Sequence, residues 1–430
     1  MNLFENSRQV TVLGAGMVGV SCALALQSKG WRVTLIDRRA PGEETSSGNA
    51  GVLSRSSLLP FNRPGFLQSL PSLLLNSGPS LQVRASALAQ WQWMWRFLWH
   101  SKHSSFEVTT RALDALIQLS SATHKAWTAQ ASSHMYLQHR WRDTGWLWLY
   151  PHETAFAGSA FSREILKEFS VATEVLNANE LQMLEPHLAP IFSHAIWIKD
   201  AASVDNPGAV VKAYAQEFVR AGGEIRIDEA KAISQQPVGW QWRNQDGKVH
   251  WAPNLVVAMG PWSETLLKDS QLPSTLKVHM GFERGYHRHF KPAPGVGLDR
   301  PIYDMASAYV LSPMQNDQGE SMFRLTTGIE LADRDSKPNL NQLENAENAV
   351  RRVLALKETM ENSNWLGSRP TTPDSRPVIG EMPNCPGLWL AFGHQHIGFS
   401  TGPGTGVLLS ELMSGEATSI DPHPFKPERF

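Results

Sequence analysis

The chain has few cysteines, no excess of charge and no long apolar run, and each shortage excludes a class of protein. Its two cysteines, Cys22 and Cys385, form neither a zinc nor a redox spacing, and so small a number suits a reducing compartment. With 39 basic residues against 40 acidic ones the formal net charge is −1, which offers nucleic acid or another polyanion no basic surface. No apolar stretch approaches the ~20 residues that span a bilayer. The N-terminal MNLFENSRQVTVLG lacks the basic-then-apolar pattern of a secretion signal, so the expected location is cytoplasmic. No internal repeat is present. What remains is a globular composition, 42% hydrophobic and 18% charged over 430 residues. That is enough chain for about two or three domain-sized units.

The stretch TVLGAGMVG is the strongest local signal. Val10 to Leu13 is a β-rich run that ends at Gly14, helix formers run from Met17 to Gln27, and WRVTLID resumes a strand ending at Asp37. Gly14 allows a tight turn, Gly16 lets backbone approach a pyrophosphate, and Gly19 lets the helix pack close to the strand. The helix N-terminus offers free N–H groups and a positive dipole end. Asp37 follows Gly14 by 23 residues, where a carboxylate can accept from a ribose diol. A dinucleotide is expected here. A nicotinamide-binding half would continue into a third strand soon after Asp37. Instead RRAPGEETSSGNAGVLSRSSLLP follows, small, polar and turn-rich. Such a segment suits a loop laid along an extended cofactor, or an ordinary surface loop.

GAGMVG with Asp37-Arg38, followed by ETSSGNAG, resembles the FAD-dependent amine and amino-acid oxidoreductases of the D-amino-acid oxidase, glycine oxidase and sarcosine oxidase superfamily. Within it the chain is most similar to the small subunit of bacterial D-amino-acid dehydrogenase. The likeness recurs in order through VDNPGAVVKAYAQEFVRAGGEI, NLVVAMGPWS, RGY, GSRPTTPDSRPVIG and LWLAFGHQHIGFSTGPGTG. It implies an α/β fold (α+β overall), with a Rossmann-like FAD-binding domain and a discontinuous mixed-sheet substrate domain. The FAD-binding parts are expected at 1–80, 195–275 and 365–430, and the substrate domain at 81–194 and 276–364. FAD contacts are implied for Gly14, Gly16, Met17, Val18, Gly19, Asp37 and Arg38. In the following loop they are implied for Thr45, Ser46, Ser47, Asn49, Ala50 and Gly51. Later in the chain they are implied for Gly260, Trp262, Gly393, His394, Gly398, Phe399 and Ser400. Sarcosine oxidases tether FAD through a cysteine near the segment equivalent to TPD; Ser368 and Arg369 stand there instead, so non-covalent FAD is expected.

Other segments read locally. Pro207 to Ala221 is helical and stopped by Gly222-Gly223, EIRID is a strand, and the alternation around Asp246-Gly247 signals a hairpin. NLVVAMG reads as a buried strand delivering Gly260 to a ligand. LWLAFGHQHIGFSTGPGTGVLLSELM reads as strand, glycine-rich loop, then helix from about Gly406, with Gly402, Gly404 and Gly406 lying against the flavin. In WQWMWRFLWH, Trp91, Met94, Trp95 and Leu98 share one helix face, with Trp93 and Phe97 off it. This is either a packed helix or, with Arg96, Lys102 and His103, a peripheral membrane contact at the inner face or a partner surface. His287/His289 and His394/His396 are His-x-His pairs, but no cysteine or acidic cluster completes a metal site.

For chemistry, the resemblance places a carboxylate-binding arginine at Arg369 in SRPTTPD, and a planar, always-charged fork suits that task. Without the resemblance, a structural arginine would be the ordinary reading. Asp374 shapes the turn after it. His396 stands where glycine oxidase carries a second arginine, and is read as a pocket wall or a packed histidine. Tyr286 in RGY is either a substrate contact or a core tyrosine. The implied reaction passes the Cα hydride of a D-amino acid to flavin N5, with the imine hydrolysing to an oxo acid and ammonia. Electrons then go to a quinone or other acceptor. Relatives acting on a secondary amine (D-hydroxyproline, an opine, sarcosine) or on glycine are the alternative, as is a flavin-bearing subunit recruited to a membrane complex.

Overall fold

In a computed structural model, residues 8–64, 78, 80–131 and 134–430 are described. The glycine-turn unit forms as its sequence dictates. The strand Gln9–Leu13 pairs in parallel with Arg32–Asp37 across the helix Met17–Ser28. Glu224–Ile227 extends the sheet beyond Arg32–Asp37, and Asn254–Val257 and Leu388–Phe392 extend it on the other side. The order of the six strands ends with Val378–Glu381, which runs antiparallel. A third parallel strand therefore does exist beside Arg32–Asp37, but it comes from far along the chain.

Among the described residues the larger sheet has eleven strands, centred on Gly281–Pro292, which pairs with Ser321–Thr326, Ile329–Leu331, Leu356–Thr359 and Trp365–Thr371. Its other half runs through Ile302–Asp304 and Trp146–Tyr150. The hairpin of Trp240–Asn244 and Val249–Ala252 turns through Gly247 at φ +79°. Among the described residues no helix is long and apolar enough to cross a membrane.

One expectation is corrected. The last helix is Gly398–Ser414, so it begins well before Gly406. A Cβ on Gly402 would meet Met17 Cγ at 2.7 Å, one on Gly404 the Leu116 carbonyl at 2.8 Å, and one on Gly406 the Ser21 carbonyl at 2.4 Å. These glycines let helices approach closely; they do not line the cavity. Pro403 sits inside this helix and cannot donate to the Phe399 carbonyl. His124 Nε2–H donates to that carbonyl instead at 3.1 Å, while its Nδ1 accepts from the Tyr214 hydroxyl at 2.9 Å.

The tryptophan segment forms the helix Trp91–Trp99. It packs through Trp93 and Phe97, 2% and 3% exposed, while Trp91 and Trp95 of the apolar stripe are 64% and 65% exposed. Gly281 decides this, because the Trp93 indole fills the space where a side chain there would stand.

Candidate active site

The carboxyl ends of the parallel strands open onto one continuous cavity of about 890 Å³, where ligands of such sheets bind. Gly14 lines one end. Its φ is +107°, and a Cβ would stand 2.4 Å from the Ala258 carbonyl oxygen, so no other residue fits the turn. Gly19 lies behind the cavity: a Cβ there would overlap the Gly14 carbonyl. Asp37 accepts from the Ala15 and Arg39 backbone N–H groups at 2.6 and 3.1 Å. Burial raises its pKa, and those two bonds oppose the rise. Arg38 is held by Glu44 at 2.7 Å and lies 4.0 Å above the Trp262 ring.

The loop after Asp37 is braced from the larger sheet. Ser46 Oγ accepts from Met17 N at 2.9 Å. Arg324 donates to the Ser47 and Asn49 carbonyls at 2.8 and 2.7 Å and to His289 Nε2 at 2.9 Å. His287 donates from Nδ1 to the Gly48 carbonyl at 3.0 Å and stacks on Trp365 at 4.9 Å. Burial, with Arg324 nearby, holds His287 and His289 neutral with pKa values of about 2 and 3. The first His-x-His pair is thus a latch on the cofactor loop. In the second pair the two residues part. His394 Nε2 is tied to Thr405 Oγ1 at 2.9 Å, whereas His396 opens into the cavity. His396 is exposed where it lines the cavity, and desolvation, with Arg369 beside it, lowers its pKa to about 4.

Arg369 enters from the strand Trp365–Thr371. It leans across Gly285, where a Cβ would stand 2.2 Å from its Nη2. No hydrogen bond or ion pair to any described residue satisfies its guanidinium, which faces the cavity. The carboxylate that acts on it is Glu283, paired opposite it in strand register, 1% exposed, with Oε2 unpartnered. Five residues on, Asp374 takes no part: it is clamped at 2.7 Å by both Arg376 and Arg429.

The cavity brings together Gly14, Gly16, Met17, Val18, Asp37, Arg38, Thr45, Ser46, Asn49 and Ala50 with Gly260, Trp262, His394, Gly398, Phe399, Ser400, Arg369 and His396. Ser47, Gly51 and Gly393 do not line it. Ser47 caps its own turn on the Glu44 carbonyl, and Gly51 and Gly393 press against Val204 and Thr372. Tyr286 lies on the opposite face of its strand, its hydroxyl donating to Glu330 at 2.8 Å and accepting from Asn339 N at 2.9 Å. The tyrosine of the cavity is Tyr303, whose ring is parallel to Trp146 at 6.0 Å. Trp148, Met305 and the Asp228–Ala230 segment were also unforeseen linings. Asp228 directly follows the strand beside Arg32–Asp37, so the edge rule used for Asp37 could have found it.

A glycine turn, a carboxylate at the next strand end, and a long cavity leading to an arginine together define a flavin-dependent oxidoreductase site. The model of the DAO family, FAD dependent oxidoreductase, matches residues 9–412, and the chain belongs to that family. It is 30% identical to a D-amino-acid oxidase of Bradyrhizobium diazoefficiens over 98% of this chain and 99% of that one. Glycine oxidase from Geobacillus kaustophilus superposes with a TM-score of 0.71 at 19% identity, covering 98% of both chains. L-α-glycerophosphate oxidase from Mycoplasma pneumoniae, with FAD bound, gives 0.70 at 15% identity over 97% of both. FAD is the cofactor, and the residues at the Gly14–Asp37 end fit it.

Proposed function

We propose that the protein oxidises D-amino acids at the Cα–N bond and delivers the electrons to a quinone-type acceptor. One observation carries the substrate class: Arg369 presents to the cavity a guanidinium that no described residue satisfies. A charge kept out of bulk water without a partner is costly, and its planar fork matches a carboxylate through two parallel bonds. Bound FAD supplies the acceptor for the Cα hydride. The chain's own part is positioning: Arg369 fixes the carboxylate, and Trp146, Trp148 and Tyr303 wall the space beyond. His396, held neutral, can accept a hydrogen bond from the substrate amino group. The imine product hydrolyses to an oxo acid and ammonia.

The D-configuration is supported by the named activity of the Bradyrhizobium relative. Non-covalent FAD is supported by the cysteines, since Cys22 and Cys385 are both buried and neither lines the cavity. The two main sheets support the discontinuous partition, with FAD-binding parts at 1–80, 195–275 and 365–430 and a substrate domain at 81–194 and 276–364. A place at the inner face of a membrane accords with a quinone acceptor. The test is anaerobic bleaching of the flavin by D-, L- and N-substituted amino acids, followed by reoxidation with oxygen or a soluble quinone. D-amino acids should bleach fastest and quinone should reoxidise fastest. Faster bleaching by L- or N-substituted substrates overturns the substrate class; reoxidation by oxygen at an equal rate makes the protein an oxidase.

A further inference from the structure

Between Glu44 and Glu107 the chain carries no acidic residue, although 40 of its 430 residues are acidic. A stretch of that length would hold about six at the average density. The tryptophan helix lies inside this interval. Trp91, Trp95 and Trp99 are 64%, 65% and 57% exposed along one stripe, with Leu88 just before them at 66%. Arg96, Lys102 and Lys277 have no carboxylate partner among the described residues, and the Lys102 ammonium rests 3.2 Å over the Trp99 ring. Arg96, Lys277 and Lys268 (the last paired with Glu264 at 2.7 Å) add to the lowering of the His279 pKa that burial begins, so positive charge from two separate chain segments gathers beside this histidine.

The opposite face of the helix packs through Trp93 and Phe97 onto a cluster that includes Phe61 and Ile329. Both of these line the cavity, so the exposed stripe stands one layer of side chains outside it.

We propose that Trp91, Trp95 and Trp99 seat the protein on an anionic lipid bilayer, with Arg96, Lys102 and Lys277 facing the lipid phosphates. An indole has an apolar body and one N–H donor, which suits the headgroup boundary. Aromatics beside unpaired cations on one helix face are the pattern of an interfacial helix. A second copy of this chain fits less well, because a two-fold contact through the stripe would set the cationic rims against each other. The seat rests on the proposed quinone acceptor for its purpose, since a quinone is dissolved in the same bilayer, but its physics is independent.

The experiment is co-sedimentation of the full-length, flavin-loaded protein with phosphatidylcholine vesicles, with and without phosphatidylglycerol. Binding should require phosphatidylglycerol and weaken with salt. The triple variant Trp91→Ser/Trp95→Ser/Trp99→Ser should bind at least about tenfold more weakly, with its flavin spectrum and turnover on a soluble dye unchanged. Wild-type protein that ignores both vesicles overturns the proposal, as does a triple variant that sediments like wild type. A dimer lost in the variant, without vesicle binding, makes a second copy the occupant and overturns it too. If the triple variant loses flavin, Arg96→Glu/Lys102→Glu/Lys277→Glu replaces it, and retained phosphatidylglycerol binding there is equally fatal. Dye-linked turnover reads the proposed reaction separately, so failure of one reading leaves the other standing.

Discussion

Arg369 and Asp374 lie five residues apart in GSRPTTPDSRPVIG, and their charges have opposite fates. Asp374 is satisfied within the protein: two guanidinium groups contact it at 2.7 Å, one of them from Arg429 at the C-terminal end. Burial alone would raise its pKa, but Arg429 and Arg376 hold it at about 2. Arg369 is satisfied by nothing within the described chain and faces the cavity. A charge that the fold completes serves stability, and a charge that the fold leaves open serves a ligand. Substitutions at the two positions should therefore separate stability from activity.

The largest effect is expected at the paired site. Asp374→Ala leaves Arg376 and Arg429 buried without their counter-ion, which costs about 3–5 kcal/mol of stability. Urea unfolding should show this loss, while kcat/KM per flavin-bound molecule stays within about threefold of wild type. At the open site the signs reverse. Arg369→Ala should lower kcat/KM by roughly 30- to 1000-fold, about 2–4 kcal/mol, with Tm unchanged or raised because an unpaired charge is gone. Arg369→Lys should recover little. Near wild-type kcat/KM in the alanine variant, or a collapse of its Tm, would break the contrast.

The same contrast shows what the sequence made legible. The Gly14–Asp37 unit could be read because its parts are local: turn, helix and carboxylate lie within one βαβ unit. Arg369 was legible only through resemblance, since nothing in SRPTTPD by itself says that the guanidinium stays unpartnered. Tyr303 was not legible. It reaches the cavity because Ile302–Asp304 pairs with Trp146–Tyr150, a contact between distant segments. The two His-x-His pairs look alike in sequence, yet Arg324 turns one into a latch while the cavity leaves His396 open. Periodicity identified the stripe of the tryptophan helix, but the packed side was decided by Gly281, far along the chain. The early start of the last helix was hidden for a similar reason: tertiary contacts to Met17, Leu116 and Ser21 favour glycines that local propensity reads as loop.

Acid should expose a third kind of titrating group, the buried histidine. His124, His287, His289 and His394 are held neutral, mainly by burial, with pKa values of about 4, 2, 3 and 3. Their unfolded forms titrate near 6.5, so between that pH and about 4 the unfolded chain binds protons that the folded chain refuses. Stability must therefore fall as pH falls, by up to about 1.4 kcal/mol per pH unit for each such histidine. Asp374 acts in the same direction at lower pH: its depressed pKa keeps its contribution intact above about 4, lost only as pH falls towards 2. Urea midpoints measured from pH 7.5 to 5 should drop accordingly. A flat profile would show that these side chains are hydrated in the native state.

The smallest effect is the sharpest probe of the open site. Glu283 is fully buried, faces Arg369 across the strand pair, and has an oxygen without a partner. Burial raises its pKa, while Arg369 pulls it down. As a carboxylate it opposes the field that Arg369 presents to an incoming anion; Glu283→Gln keeps the shape and removes that opposition. A plain carboxylate ligand such as benzoate should then bind the flavin-loaded enzyme about threefold to tenfold more tightly, the scale of one charge acting at moderate effective dielectric. A residue that merely props Arg369 in place would give weaker binding on loss of its charge. Tighter binding in the glutamine variant makes Glu283 a brake on the anion site; weaker or unchanged binding removes it from the account of substrate affinity and leaves Arg369 to act alone.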